Sequence, residues 1–156
     1  MDTRELREIL GETDVFAGVP AEVLEALLAA GTVESTTCGT ALFHEGEPGQ
    51  DLFLVLSGAI ELTTSVRRAG EQRLALLDRG QIFGELACFD DLPRSATATA
   101  FVDAVVWRLP GPGLDVVLDR TPSLAATLLR NLVKKVSLRL RDADQEIREL
   151  RAAAQP

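Results

Sequence analysis

Between Phe83 and Thr97 the chain reads FGELACFDDLPRSAT, a stretch holding the residue types that suit an anion carrying a sugar. Gly84 lets backbone approach a ligand with no Cβ in the way. Glu85 is an acceptor-only carboxylate, the group that holds a sugar hydroxyl. Arg94 offers a planar fork of donors suited to a phosphodiester. Ser95 adds a hydroxyl, and the amides of Ser95 and Ala96 add N–H groups that can form an anion-binding concavity. Leu86, Ala87, Cys88 and Phe89, in the interval between carboxylate and guanidinium, suffice for one helical turn. The plainer alternative is an Arg-to-Glu surface pair in a strand connection. A ligand site requires instead that both side chains face one shared hollow, left open by the protein's own groups.

Catalysis finds no comparable support. His44, the single histidine, stands beside Glu45 with no nucleophile that the sequence points to, and neither GxSxG nor HExxH occurs. No catalytic residue is assigned and the chain is not expected to be an enzyme. His44 in LFHEGE reads as a strand or turn residue. A jelly-roll metal enzyme would need several histidines plus a carboxylate. Cys38 and Cys88, without CxxC spacing, cannot complete a four-ligand zinc site with one histidine, so neither metal nor cofactor is expected. Both cysteines read as small buried apolar groups in a reducing compartment.

The elements that must position the cassette are legible from periodicity. Leu6, Ile9 and Leu10 recur at helical spacing, and a second helix opens at Pro20 with Val23, Leu24, Leu27 and Leu28 on one side, ending at Gly31. From Val33 to Leu109 the texture changes to short apolar runs, LFLVL, AIELTT, LALL, TATAF and AVVWRL. The turn signals GEPGQD, SG, RRAGEQ, DRGQ and DDLP recur between them, which argues for a closed antiparallel roll or sandwich. After PGPG, a short helix through Val116, Val117 and Leu118 precedes a long one beginning near Pro122.

On that long helix Leu129, Val133, Val136, Leu140, Ala143, Ile147 and Leu150 follow at alternating spacings of four and three, the seam of a coiled coil. With Val133 and Leu140 at a positions, Arg139 and Glu146 fall at g, Asp144 and Arg151 at e. A parallel partner pairs Arg139 with Asp144 and Glu146 with Arg151, both attractive, which predicts a parallel homodimer. A second stripe, Leu124, Leu128 and Leu132, can pack the start of the same helix on its own strands. The AAAQP tail is expected to fray.

Composition bounds the rest. With 156 residues, 46% of them hydrophobic, the chain suits one domain with a real core. No apolar run spans a bilayer, and the charged start MDTRELREILGETD is no secretory signal, so a cytoplasmic protein without membrane contact is expected. A net charge of −8 opposes binding to a phosphate backbone. The charge is uneven: residues 1–66 carry 12 acids and 2 bases, residues 120–156 carry 8 bases and 4 acids. The basic set Arg130, Lys134, Lys135, Arg139 and Arg141 reads as charge flanking the seam and near a bound phosphate.

The segment FGELACFDDLPRSATATA resembles the phosphate-binding cassette of cyclic nucleotide-binding domains, the ligand sensors of catabolite activator protein, cyclic nucleotide-dependent kinases and cyclic nucleotide-gated channels. LFHEGEPGQDLFLVLSGAIEL is similar to the glycine-punctuated hairpins of the same roll, and VFAGVPAEVLEALLAAG to the helical lead-in of the bacterial activators. The resemblance implies a mixed α and β fold: an antiparallel β-roll (double-stranded β-helix, or jelly roll) with N-terminal helices and a long C-terminal dimerisation helix. One domain over residues 1–156 is expected, with a helical lead-in at 1–31, the roll at 32–109 carrying the cassette at 83–97, and C-terminal helices at 114–154.

Carried onto this sequence, the resemblance implies that Glu85 accepts the ribose 2′-hydroxyl and Arg94 pairs with the cyclic phosphate. Ser95 and the Ala96 amide complete the phosphate cradle, and the amides of Gly84 and Leu86 approach the sugar. Asn131, Lys134, Lys135 and Ser137 on the capping helix are candidates for touching the base. The expected ligand is a cyclic nucleotide, cyclic AMP rather than cyclic GMP, and the expected function a ligand-responsive homodimer acting on a downstream protein partner that the sequence does not name. The bacterial activators continue into a helix-turn-helix domain, whereas this chain stops at Pro156, so no DNA binding is expected of it alone. Two alternatives stand beside this reading: a dimerisation scaffold that needs no nucleotide, and the sensor half of a transcription regulator cut before its DNA-binding domain.

Overall fold

The computed structural model describes residues 2–153. Two short helices, α1 (Thr3–Glu12) and α2 (Ala21–Ala30), lead into eight strands: β1 (Thr32–Thr36), β2 (Ala41–Phe43), β3 (Leu52–Ser57), β4 (Ile60–Val66), β5 (Gly70–Leu77), β6 (Ile82–Phe83), β7 (Thr97–Ala100) and β8 (Ala104–Leu109). Helix α3 (Glu85–Asp90) interrupts the strands, and α4 (Gly111–Arg120) and α5 (Pro122–Ala153) follow them. The strands form two antiparallel four-stranded sheets, β1-β8-β3-β6 and β2-β7-β4-β5. This is the expected mixed architecture, a β-roll with N-terminal helices and a long C-terminal helix.

β3 explains why one sheet can carry two cores. Its side chains alternate faces. Leu52, Leu54 and Leu56 join the cluster made with the helices, whereas Phe53 and Val55 join the cluster between the sheets. All five are buried, which accounts for the unbroken apolar run LFLVL. On β8, Trp107 and Leu109 face the helices while Ala104 and Val106 face the roll interior. β5 lies at a sheet edge with Leu74 and Leu76 exposed and a charged, twisted hairpin before it, an edge poorly suited to further pairing.

The start of α5 docks as its Leu124, Leu128 and Leu132 stripe predicts: all three are buried with Leu52, Leu54 and the residues of α1 and α2. Beyond that point the helix leaves the body. Leu129, Val133, Val136, Leu140, Ile147 and Leu150 are exposed, so the seam is uncovered in the single chain. α4 begins at Gly111, earlier than Leu114, because Pro112 falls in the first turn, where a missing N–H costs nothing. The helix runs through Ala153, so Ala152 and Ala153 of the AAAQP tail are helical. The remainder of the tail, and the last residue of the 114–154 helical segment, lie outside the described residues.

Candidate functional site

The cassette is held between β6 and β7. β6 pairs with β3 through Phe53–Phe83 and Leu54–Ile82, and the chain then turns at Gly84, whose φ of 76° is left-handed. A Cβ there would lie 2.8 Å from both the Asp51 carbonyl oxygen and Arg94 Nη1, so the close approach also requires glycine. The turn delivers Glu85 as the first residue of α3, as the interval between carboxylate and guanidinium predicts. Downstream, backbone bonds tie Arg94 to the β2–β3 loop, its N–H donating to the Glu47 carbonyl at 2.9 Å and its carbonyl accepting from Gly46 at 2.8 Å.

Glu85 and Arg94 are both buried, with 3% and 5% of their surface exposed. They are not paired with each other, which rules out the surface ion pair. Arg94 Nη1 donates to the carbonyls of Asp51 (2.8 Å) and Gly84 (3.1 Å), and its guanidinium carbon lies 4.2 Å from the centre of the Phe43 ring. Phe43, Phe53 and Phe83 form a cluster of rings at that site, with centroids 5.1–6.0 Å apart. Arg94 Nε is buried and has no hydrogen-bond partner among the described residues. Burial pushes the guanidinium below its ordinary value and Asp51 opposes the shift; an arginine stays charged throughout. A buried cation with donor capacity to spare is equipped for an anion.

The structure brings all six candidate residues, Gly84, Glu85, Leu86, Arg94, Ser95 and Ala96, into the lining of one hollow, together with Phe43, Leu62 and Arg139. That hollow measures only about 40 Å³. The requirement of a shared hollow is met; the requirement that it stand open is not. Glu85 Oε1 accepts from Arg139 Nη1 at 3.0 Å and lies 3.2 Å from Lys135 Nζ, both on α5. A bare carboxylate buried to this extent is costly, so in this arrangement the helix supplies its counter-charges.

A larger hollow of about 410 Å³ shares Phe43 and Arg94 with the first but reaches Glu34, Glu47, Asp51 and Arg108 instead of the cassette. Its three carboxylates outnumber its two guanidiniums, and Arg108 is already bonded to Asp51 at 2.8 Å. Such a lining repels an anion, and the smaller hollow is the better candidate for a phosphate.

Of the four residues named for the base, none but Lys135 reaches the cassette. Asn131 Nδ2 is committed to the carbonyls of Val15 (3.0 Å) and Ala17 (2.9 Å), fastening α5 to the lead-in, and Lys134 and Ser137 are exposed outside the hollow lining. Arg139, expected in the basic set flanking the seam and near a bound phosphate but not among the candidate site residues, lines the hollow. Its signal is the four-residue spacing from Lys135, which puts both cations on one helix face. Phe43 and Leu62 were missed, since nothing distinguishes them in sequence from other strand apolars.

His44 is a turn residue: its amide and Nδ1 both engage the Glu47 carboxylate, at 2.9 and 3.0 Å. Cys88 is partly buried, and burial pushes its thiol up to about 12, far from a nucleophile. Cys38 is exposed, contrary to the expectation of burial, because it lies in the β1–β2 turn with Sγ against the Phe101 carbonyl. Among the described residues no cluster of three metal-binding side chains occurs, and no helix is long and apolar enough to cross a membrane.

The sequence pattern of the family described as "Cyclic nucleotide-binding domain" matches residues 33–121, more than half of the chain. This chain belongs to that family. It is 32% identical to the cyclic AMP receptor protein of Thermus thermophilus over 133 residues, which is 85% of this chain and 60% of that protein. The N-terminal domain of a transcriptional regulator from Streptomyces coelicolor has the same fold, with a TM-score of 0.74, 32% identity and coverage of 89% of this chain and 94% of that one. The regulatory domain of Toxoplasma gondii PKA, solved with cAMP, superposes with a TM-score of 0.71 at 25% identity, covering 75% of this chain and 46% of that one. The chain thus spans about 60% of the length of its curated bacterial relative. The family is a cyclic nucleotide-binding regulatory domain, and this chain has the β-roll fold of its solved members.

Proposed function

We propose that this domain is a cytoplasmic sensor that binds one cyclic nucleotide at the cassette, cyclic AMP in preference to cyclic GMP, and signals as a parallel homodimer rather than by catalysis. Glu85 accepts the ribose 2′-hydroxyl and Arg94 pairs with the cyclic phosphate through its unused Nε and its remaining guanidinium donors. The Ser95 hydroxyl and Ala96 amide complete the cradle, and the amides of Gly84 and Leu86 face the sugar. The observation that carries this reading is the buried guanidinium with an unpartnered Nε on the same hollow as Glu85. The preference for cyclic AMP rests on the relatives named for it.

A thermal-shift panel of cyclic AMP, cyclic GMP and cyclic dinucleotides tests it. Ligand at a hundred times its Kd adds about 2.7 kcal/mol, or roughly 5–10 °C in Tm for a domain of this size. Cyclic AMP is expected to give the largest rise. A flat panel favours the second reading, a scaffold that needs no nucleotide, which the internal pairing of Glu85 with Lys135 and Arg139 supports.

The dimer reading rests on the exposed seam, whose occupant is a second copy because the flanking charges at g and e are self-complementary in parallel. Val133→Asp combined with Leu140→Asp is expected to convert the dimer to a monomer in analytical ultracentrifugation, with the melting of the roll unchanged. A wild-type protein that sediments as a monomer at tens of micromolar contradicts this. With 8 basic residues against 4 acidic ones in residues 120–156, spread around a helix that also carries the seam, DNA binding by this polypeptide is not part of the proposal.

A further inference from the structure

The roll is left open between two of its own strands. β1 is the edge of one sheet and β2 the edge of the other, and among the described residues each is paired on one side only, with β8 and β7 respectively. The hollow of about 410 Å³ lies between them, bordered by Glu34, Ser35 and Thr36 of β1 and by Ala41, Leu42 and Phe43 of β2. A hollow against the face of a strand is lined by alternate residues. Consecutive residues on both strands mean that this one borders strand edges, where every second residue turns its backbone N–H and C=O away from the sheet.

Of the two edges, β1 is the one fit to receive a strand. Its register with β8 runs unbroken from Thr32 to Thr36, whereas β2 has three residues and a register shift. Its sequence, TVEST, has the β-branched residues that favour a strand and none of the lysines, prolines or bulges that blunt an edge. Glu34 and Thr36 lie opposite Val106 and Ala104, which face the roll interior, while Val33 lies opposite Trp107 on the helix side, 52% exposed. An added strand thus meets a carboxylate on one face and an uncovered valine on the other. Thr36 Oγ1, on the same face as Glu34, is buried with no hydrogen-bond partner among the described residues.

Charge selects the occupant. Arg108 holds Asp51 at 2.8 Å but reaches Glu34 only at 3.4 Å, and Glu47 is bonded within its own turn, to His44. The carboxylates of the slot therefore keep an unspent negative charge. A second copy of β1, antiparallel about Glu34, would bring like charges face to face, which is unfavourable. A helix offers a strand edge no free backbone groups along its length.

We propose that the slot beside β1 docks an extended segment of a partner protein in which lysine or arginine alternates with apolar residues. The backbone adds to β1 as a strand, the cations turn inward to Glu34 and its neighbouring carboxylates, and the apolar side chains cover Val33. The slot shares Phe43 and Arg94 with the cassette hollow. On the cyclic nucleotide reading above, a phosphate on Arg94 cancels one of the positive charges bordering the slot, so nucleotide and segment strengthen each other by the same factor. The docking itself does not depend on that reading.

The test titrates the full chain with a labelled Lys-Val-Lys-Val-Lys-Val peptide, read by fluorescence anisotropy, and follows backbone amide exchange by NMR. The peptide is expected to bind and to slow exchange within residues 32–36. Glu34→Lys should weaken binding about tenfold with melting unchanged, and Glu34→Gln less. A fully N-methylated peptide keeps the charge but has no backbone N–H to donate, and it should lose most of the affinity. Failure of the peptide to bind at millimolar concentration, protection confined to other elements, or equal binding of the N-methylated peptide overturns the docking site. Cyclic AMP should raise peptide affinity several-fold. An affinity indifferent to cyclic AMP, in protein that calorimetry shows to bind it, overturns the coupling. Peptide binding by protein that takes up no cyclic AMP overturns the cassette reading and leaves the docking site standing.

Discussion

Arg94→Ala is expected to abolish practical cyclic nucleotide binding while leaving the domain folded. Truncating one partner of a buried, hydrogen-bonded charge pair costs about 2–5 kcal/mol, roughly a thirty- to several-thousand-fold rise in Kd. The other cations nearby are already engaged: Arg139 and Lys135 by Glu85, and Arg108 by Asp51 and Glu34. Arg94→Lys keeps the charge but loses the fork, and its affinity should lie between the two. The fold tolerates the loss because the guanidinium is partly a burden. Its removal leaves the Asp51 and Gly84 carbonyls without their donor, a cost of about 1–3 kcal/mol, offset in part by no longer burying a cation. Calorimetric titration of both variants, with circular dichroism to verify folding, checks the prediction. Near-wild-type affinity in Arg94→Ala would remove the phosphate role.

Trp107→Ala is expected to be the most damaging core substitution, lowering unfolding free energy by about 3–5 kcal/mol. Trp107 is fully buried on β8, in the cluster that joins the first sheet to the four flanking helices α1, α2, α4 and α5. A Cβ at Gly31 would lie 2.4 Å from its Nε1, so the indole packs directly on the Gly31 backbone and its removal leaves a void there. The indole N–H has no hydrogen-bond partner among the described residues, so the loss is one of packing, and Trp107→Phe should cost much less than Trp107→Ala. Urea unfolding of the two variants separates these outcomes, because equal costs would indicate that the indole shape matters less than its polar atom. The helix α5 is anchored to this same cluster through Leu124, Leu128 and Leu132, so the substitution should also loosen the helix carrying Arg139.

The elements were legible because their periods differ. LFLVL and AVVWRL announce strands, and the two leucine stripes of α5 separate into one that docks and one that does not, as Leu128 at 0% and Leu140 at 61% exposure demonstrate. The cassette was legible because glycine, carboxylate and arginine each have a chemical reason to stand there. The partners of those residues were not. Glu85 is neutralised by residues more than forty positions away, and no local pattern says whether an arginine beside a seam turns toward its own roll or toward a second chain. Asn131 failed as a base contact for a similar reason: a polar residue near the site on paper was used to satisfy the carbonyls of Val15 and Ala17. The start of α4 moved because a proline two places into a helix is favourable, an effect invisible to apolar spacing alone.

The central claim, that a cyclic nucleotide is held between Glu85 and Arg94, is tested most directly by titrating the folded wild-type chain with cyclic AMP in a calorimeter. One site per chain with a Kd on the order of micromolar or tighter is the predicted result. No heat of binding at millimolar nucleotide, from protein whose melting is cooperative, would contradict it.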